Sequence, residues 1–485
     1  MIEIKNCSFW YTGSERANLD NLSLRVETGE CVLVTGESGC GKTTLLRLIN
    51  GLVPHFYEGD LRGSVSIDGL DVKRLTPAEL STRVASVFQN PRSQFFNLDT
   101  TSEIVFGCEN MGLPREEIAI RLEEAMETLN IGHLRDRDIF ALSGGEKQLV
   151  AIAGVYAMRA DIFVFDEPSA NLDTAAAAKL AEVIRRLKAL GKTILIAEHR
   201  LAYLGGAADR VLYLKGGDIT RTWDAKEFSL LPDDERKTLG LRASRLDGLK
   251  PSGKTPESGF RENLKVSGLE VSYVRSRPVL KDMSLSVNAG DATAIYGGNG
   301  KGKSTFARCV CGLMRERRGL IQIGGEKARP QKRIRSCYLV MQYPDYQLCG
   351  ESVWQEIGGG ERDDKETRKI LSLLALDDLK DRHPFSLSGG EKQRLSIAVA
   401  MAQNAEIIIL DEPTSGLDYA NMLRIDEVIS LLRKSGKTVL VITHDYEFLL
   451  SACNKVFNIE HHGFQNCRTL DGETMKDIRH FFEIT

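Results

Sequence analysis

No apolar stretch in this 485-residue sequence approaches the roughly 20 residues that a helix needs to cross a bilayer. The N-terminus also lacks the apolar core of a secretory signal. The expectation is therefore a soluble body, with any membrane role supplied through another protein. Charge of one sign is missing too: 64 basic residues face 67 acidic ones, with no long single-sign run, so nucleic acid is not expected as a partner. The ten cysteines show no paired spacing, which fits a reducing compartment. Cys309 and Cys311 form an isolated C-x-C, which falls short of the four ligands of a structural zinc site and is expected to lie buried on a helix.

What is present is one motif set, written twice. Gly36-Glu37-Ser38-Gly39-Cys40-Gly41-Lys42-Thr43 and Gly297-Gly298-Asn299-Gly300-Lys301-Gly302-Lys303-Ser304 are phosphate-binding loops, followed by Thr44 and Thr305. Glycines in such a loop let backbone N–H groups turn inward around phosphate oxygens, and the following helix adds its N-terminal dipole. The expected ligand is ATP with Mg²⁺. Lys42 and Lys303 would reach the terminal phosphates, and the Thr43 and Ser304 hydroxyls would face the metal. Cys40 lies inside the first loop, either as a small tolerated residue or as a reactive thiol whose alkylation would block ATP.

Each loop is followed by a glutamine (Gln89, Gln342), a Leu-Ser-Gly-Gly-Glu-Lys-Gln stretch, an Asp-Glu pair closing an apolar strand, and a histidine after a further strand. Asp166 and Asp411 end apolar strands, where a carboxylate is costly unless it binds something; Mg²⁺ is the expected partner. Glu167 and Glu412 are placed as general bases for the attacking water. Gln89 and Gln342 are suited to touch both Mg²⁺ and water. His199 and His444 can hydrogen-bond the γ-phosphate and hold base and water in line.

Ser143, Gly144 and Gly145, and likewise Ser388, Gly389 and Gly390, have the make-up of another helix start facing phosphate. A nucleotide held by its own loop has no need of a second helix start from the same domain. Each signature is therefore expected to complete the other copy's site, in a head-to-tail pairing within one chain or between two.

The separations between equivalent residues support duplication. Lys42 to Lys303 is 261 residues and Gln89 to Gln342 is 253, whereas Ser143 to Ser388, Asp166 to Asp411 and His199 to His444 are all 245. Length changes are absorbed before and after the glutamine, and the stretch from signature to histidine has none.

Short apolar strands alternating with helices predict an α/β fold in both halves, with a mostly parallel sheet carrying its active edge at the strand C-termini. Strands are expected over Cys31–Val34, Ile162–Phe165 and Thr193–Ala197, and over Ala292–Ile295, Ile407–Leu410 and Thr438–Ile442. A helical subdomain is expected between glutamine and signature, notably at Arg115–Leu129. The domain reading is 1–235, a linker 236–262 that is rich in Gly, Pro, Ser and Lys over Gly248–Gly259, and 263–485.

Together these motifs resemble the ATP-binding-cassette (ABC) ATPases over nearly the whole chain. The resemblance implies two tandem nucleotide-binding domains, each with an antiparallel β subdomain, closing on two ATP molecules and reopening after hydrolysis. It places Leu142–Gln148 and Leu387–Gln393 as signatures, and Tyr11 and Tyr273 where adenine stacks. Asn50–Gly59 and the segments Gln89-Asn90-Pro91-Arg92-Ser93-Gln94 and Gln342-Tyr343-Pro344-Asp345-Tyr346-Gln347 resemble energy-coupling-factor (ECF) importers. That resemblance implies a peripheral subunit at the cytoplasmic face of a membrane. Its partners would be an integral-membrane coupling protein, docking near Gln89–Phe96 and Gln342–Leu348, and a small substrate-binding membrane protein. The cargo would be a vitamin, a precursor or a metal ion. Two alternatives are a sugar-importer ATPase, in which the second loop and signature are typically altered, and a ribosome-acting tandem ATPase, which carries a long charged linker.

Overall fold

The computed structural model describes residues 1–170, 172–252, 261–273, 278–359, 364–460, 463–464 and 467–482. The chain divides into two compact units, Met1–Arg245 and Leu246–Thr485. In the first, the strands Ile2–Tyr11, Leu19–Val26, Gly59–Ile67 and Leu70–Asp71 form an antiparallel sheet. The second sheet runs in the order Asp218–Asp224, Arg210–Lys215, Cys31–Gly36, Thr193–Ala197, Ile162–Asp166, Val84–Val87, and is parallel except for its first strand.

The central strands of this second sheet are continuous apolar runs because helices cover them. Cys31–Gly36 and Thr193–Ala197 are buried at every position. The antiparallel strands alternate instead, with Ile2, Ile4, Cys7 and Phe9 inward and Glu3 and Lys5 on the accessible side.

The second unit repeats the plan with local changes. Its parallel sheet is ordered Cys337–Val340, Ile407–Asp411, Thr438–Ile442, Ala292–Tyr296, Lys455–Asn458, with Arg468–Thr469 antiparallel at the edge. The α/β expectation and the six named strands are present, most of them extended by one or two residues. The expected helical subdomain is also there: Thr100–Asn110 and Arg115–Thr128 pack on Gly144–Ala157 through Ile104, Ala125, Met126 and Val150.

Of the expected linker, residues 253–260 lie outside the described residues. Its flanks are packed. Leu241 joins the first unit's core and Tyr213 donates to the Leu239 carbonyl at 2.8 Å. Leu246 and Leu249 lie on the second unit's core, and the Ser252 amide donates to the Leu450 carbonyl at 2.9 Å.

Candidate functional site

Each phosphate loop leaves the C-terminal end of a central strand and runs into a helix, Lys42–Ile49 or Lys303–Val310. The exit needs glycine. Gly36 has φ +149°, and a Cβ there would lie 2.2 Å from the Leu214 carbonyl oxygen. Gly41 and Gly302 sit in the left-handed region just before each helix, leaving its first amides open. The crests, Ser38 and Gly39 in one unit and Asn299, Gly300 and Lys301 in the other, face solvent. Lys42 and Lys303 are buried and folded back on their own loops. Lys42 Nζ donates to the Gly36 and Glu37 carbonyls at 3.0 and 2.9 Å, and Lys303 Nζ to those of Gly297 and Gly298 at 2.7 and 3.0 Å.

The loop hydroxyls meet the strand-end aspartates. Thr43 donates to Asp166 Oδ1 at 3.1 Å, and Ser304 hydrogen-bonds Asp411. Burial, reinforced by the neighbouring Glu167 charge, pushes the Asp166 carboxyl from its ordinary 3.8 up to about 6. Burial raises Asp411 as well. A desolvated carboxylate beside a hydroxyl is a donor set that a divalent cation fits, because the cation supplies the missing counter-charge.

This has a measurable consequence for the nucleotide-free protein. Between pH 3.8 and 6 the unfolded chain releases a proton that the folded one keeps, so stability falls as pH rises through this window. Asp166→Asn is expected to stabilise the fold at pH 7.5 by on the order of 1–3 kcal/mol, seen as a raised melting temperature. The gain should vanish below about pH 4 in a thermal melt; a pH-independent difference would refute the assignment.

Beyond the aspartates, Gln89 Nε2 donates to Glu167 Oε2 at 2.7 Å, and His199 Nε2 lies 3.4 Å from Glu167 Oε1. In the second unit His444 Nε2 is 3.6 Å from Glu412 Oε1, and the His444 amide donates to Glu412 Oε2 at 3.2 Å. Both glutamates hold left-handed backbone, φ +44° and +50°, and both amides bond the adjacent strand, at Ala197 and Ile442. Such strain persists only where the surroundings impose it. Gln342 follows the edge strand Cys337–Val340 as Gln89 follows Val84–Val87.

Other expected site residues are engaged locally. Ser143 and Ser388 start their helices with capping boxes: the serine hydroxyl accepts from the Glu146 or Glu391 amide, and that carboxylate accepts from the serine amide at 2.7 Å. Gly144 and Gly389 beside them are exposed, while Gly145 and Gly390 follow within the helices. Tyr11 reaches the Thr44 hydroxyl at 3.3 Å and accepts from Arg47 at 3.1 Å; its ring sits edge-on to Phe9. Tyr273 is 61% exposed and reaches the Thr305 hydroxyl at 3.2 Å.

Of the two readings of Cys40, the structure favours the small tolerated residue over the reactive thiol. Its side chain is buried, burial raises its pKa, and Lys42 opposes this only in part, so little thiolate forms. Cys309 and Cys311 are buried, as expected.

Five residues support the site in ways that the sequence reading did not foresee. Gln94 Oε1 accepts from the Phe88 amide and its Nε2 donates to the Ser86 carbonyl, both at 3.1 Å. Gln347 does the same to Met341 and Leu339 at 2.6 Å. Each side-chain amide thus completes the open ladder of an edge strand. Glu103 and Glu356 then accept from amides of the following loops. Buried Glu198 accepts from the His199 amide at 2.8 Å and from the Tyr203 hydroxyl at 3.0 Å, fixing the backbone before the histidine. The matched second glutamine was the available signal for the first pair; nothing local announced the others.

Comparison with known proteins bears on the family and the fold. A family model described as ABC transporter matches residues 19–170 and 280–415. A relative in Treponema denticola, named as an ABC transporter ATP-binding protein, is 45% identical, covering 99% of both chains. One in Saccharolobus solfataricus is 30% identical over 92% of this chain and 90% of its own. Among solved structures, an RNase-L inhibitor superposes with TM-score 0.67 at 24% identity over 99% of this chain and 93% of that one. A ribosome-bound archaeal Pelota and ABCE1 model gives 0.70 at 25%, covering 98% and 80%. Among the described residues no helix is long and apolar enough to cross a membrane. With two complete cassettes and relatives matching end to end, the chain belongs to the ABC transporter family of ATP-hydrolysing proteins.

Proposed function

We propose that this chain is the energy-coupling ATPase of an ECF-type importer, working at the cytoplasmic face of a membrane for a vitamin, vitamin precursor or metal ion. In each site the loop amides and Lys42 or Lys303 would hold the ATP phosphates. Thr43 with Asp166, and Ser304 with Asp411, would hold Mg²⁺, with Gln89 and Gln342 at its edge; the ion would neutralise phosphate charge. Glu167 or Glu412 would take a proton from water as it attacks the γ-phosphorus and the bond to ADP breaks. His199 or His444 would keep that glutamate aligned. Tyr11 and Tyr273 would border the adenine. Ser143 with Gly145, and Ser388 with Gly390, would complete the opposite copy's site.

One observation supports the importer reading: an exposed apolar rim lies on the hydrogen-bonded loop that follows Gln89. Phe96 and Leu98 are 73% and 72% exposed, Phe96 stacks on Phe106 at 5.0 Å, and Gln94 and Glu103 pin the loop between them and Gln89. Exposed apolar side chains on a hydrogen-bonded loop leading from a candidate site residue suit a partner that would transmit force to it. In the second unit Tyr346 is exposed in the equivalent loop. Phe96→Asp with Leu98→Asp is expected to abolish detergent co-purification with membrane proteins while leaving the fold's melting temperature within a few degrees. Retention of those partners would sink the reading.

A second reading draws on the fold shared with ribosome-bound ABCE1: a tandem ATPase acting in translation. Recovery of the chain with ribosomes rather than with membranes would favour it.

A further inference from the structure

The two phosphate loops are not held alike. In the first, Gly36 is followed by Glu37, whose side chain restricts its backbone; in the second, two glycines, Gly297 and Gly298, follow one another. A Gly-Gly exit loses more conformational entropy on ordering than Gly-Glu. Yet Lys303 depends on it, because the Gly297 and Gly298 carbonyls both hold the ammonium.

A carboxylate from another strand ties this exit down. The Gly298 amide donates to Glu460 Oε1 at 2.6 Å, and Lys301 Nζ lies 3.4 Å from Glu460 Oε2. Glu460 therefore bridges two positions of the loop, and the Gly298 peptide is held at both ends: its N–H by Glu460 and its C=O by Lys303. The amide, then Lys301, keep this carboxyl ionised below its usual range. Register identifies the corresponding residue in the first unit. Gly36 pairs with Leu214, followed by Lys215; Tyr296 pairs with Asn458, and Ile459 packs against Gly297, followed by Glu460. Lys215 is exposed and, as an ammonium, cannot accept from an amide.

We propose that Glu460 is a positioning residue of the second phosphate loop, pre-ordering the Gly297–Lys303 turn for ATP, with no counterpart at the first loop. The two sites then respond unequally to its removal. The inference rests on the reading that both loops bind ATP.

The test is equilibrium titration of the full-length chain with a fluorescent ATP analogue, with Lys42→Ala isolating the second loop and Lys303→Ala the first. Glu460→Ala is expected to weaken second-loop binding roughly tenfold and leave first-loop binding within twofold. Glu460→Gln, which keeps an acceptor for the Gly298 amide, should recover most of the loss, and Lys301→Ala should fall between. Unchanged or tightened second-loop binding in Glu460→Ala overturns the proposal, as does equal weakening at both loops with a lowered melting temperature. Two binding events of wild-type affinity in Lys303→Ala would show that Lys303, and with it the turn that Glu460 orders around it, does not serve nucleotide binding, and would overturn the proposal as well.

Discussion

Replacing both Glu167 and Glu412 by glutamine is expected to cut ATP hydrolysis by about 10²–10⁴-fold while ATP still binds. Glutamine keeps the size of glutamate and can still face Gln89 and His199, but it takes no proton at neutral pH. The geometry is consistent with that role. Gln89 donates to one oxygen of Glu167 at 2.7 Å, His199 lies 3.4 Å from the other, and the backbone is held left-handed by the amide bond to Ala197. Glu412 repeats the strained backbone and the histidine. Phosphate release read alongside retained nucleotide separates chemistry from binding. Turnover near wild type in the double variant would show that neither residue is the base. A single replacement that alone abolished turnover would show that the two sites fire only together.

The second large effect is expected at the loop lysines. Lys42→Ala together with Lys303→Ala should weaken ATP binding by on the order of 10–100-fold per site, the worth of charge-assisted contacts of about 1.5–3 kcal/mol. Each ammonium is buried and held by two loop carbonyls. Removing it takes away the cation that phosphate would meet and leaves those carbonyls without their donor, so loop order is lost as well as charge. Binding of labelled ATP by the double variant, with its melting temperature checked, distinguishes this from general unfolding. Affinity within threefold of wild type would mean that the lysines serve only the empty loop.

Much of the site was legible before any coordinates, because its chemistry is local. A glycine loop between an apolar strand and a helix has few other purposes, and Asp166-Glu167 and Asp411-Glu412 close strands whose neighbours are all apolar. Strand bounds were readable for the same reason: continuous burial leaves an uninterrupted apolar run that stops where the carboxylate begins.

The errors and omissions lie where a residue's partner is far away in sequence. Cys40 could be a small tolerated residue or a reactive thiol as far as its local sequence goes; folded, its side chain turns inward against Lys42 and the apolar core of the first unit. Gln94 and Gln347 read as family markers; only the folded edge strand shows that each amide completes a ladder. Glu198, a polar residue closing an apolar strand, gave no hint that Tyr203 and the histidine backbone would satisfy it.

By itself, then, the sequence determined two α/β cassettes, their phosphate loops, and the candidate residues of each site, of which Gln89 and His199 meet Glu167 and His444 meets Glu412, since those follow from periodicity and from side-chain chemistry at short range. Only the tertiary structure decided how the loop lysines are held, that burial pushes Asp166 up to about 6, and that Glu460 grips one loop while Lys215 stands at the other. The physical reason is strand register. Glu460 lies 162 residues from Gly298 and meets it only because parallel pairing brings the strand Lys455–Asn458 beside Ala292–Tyr296, a neighbour that no local pattern encodes.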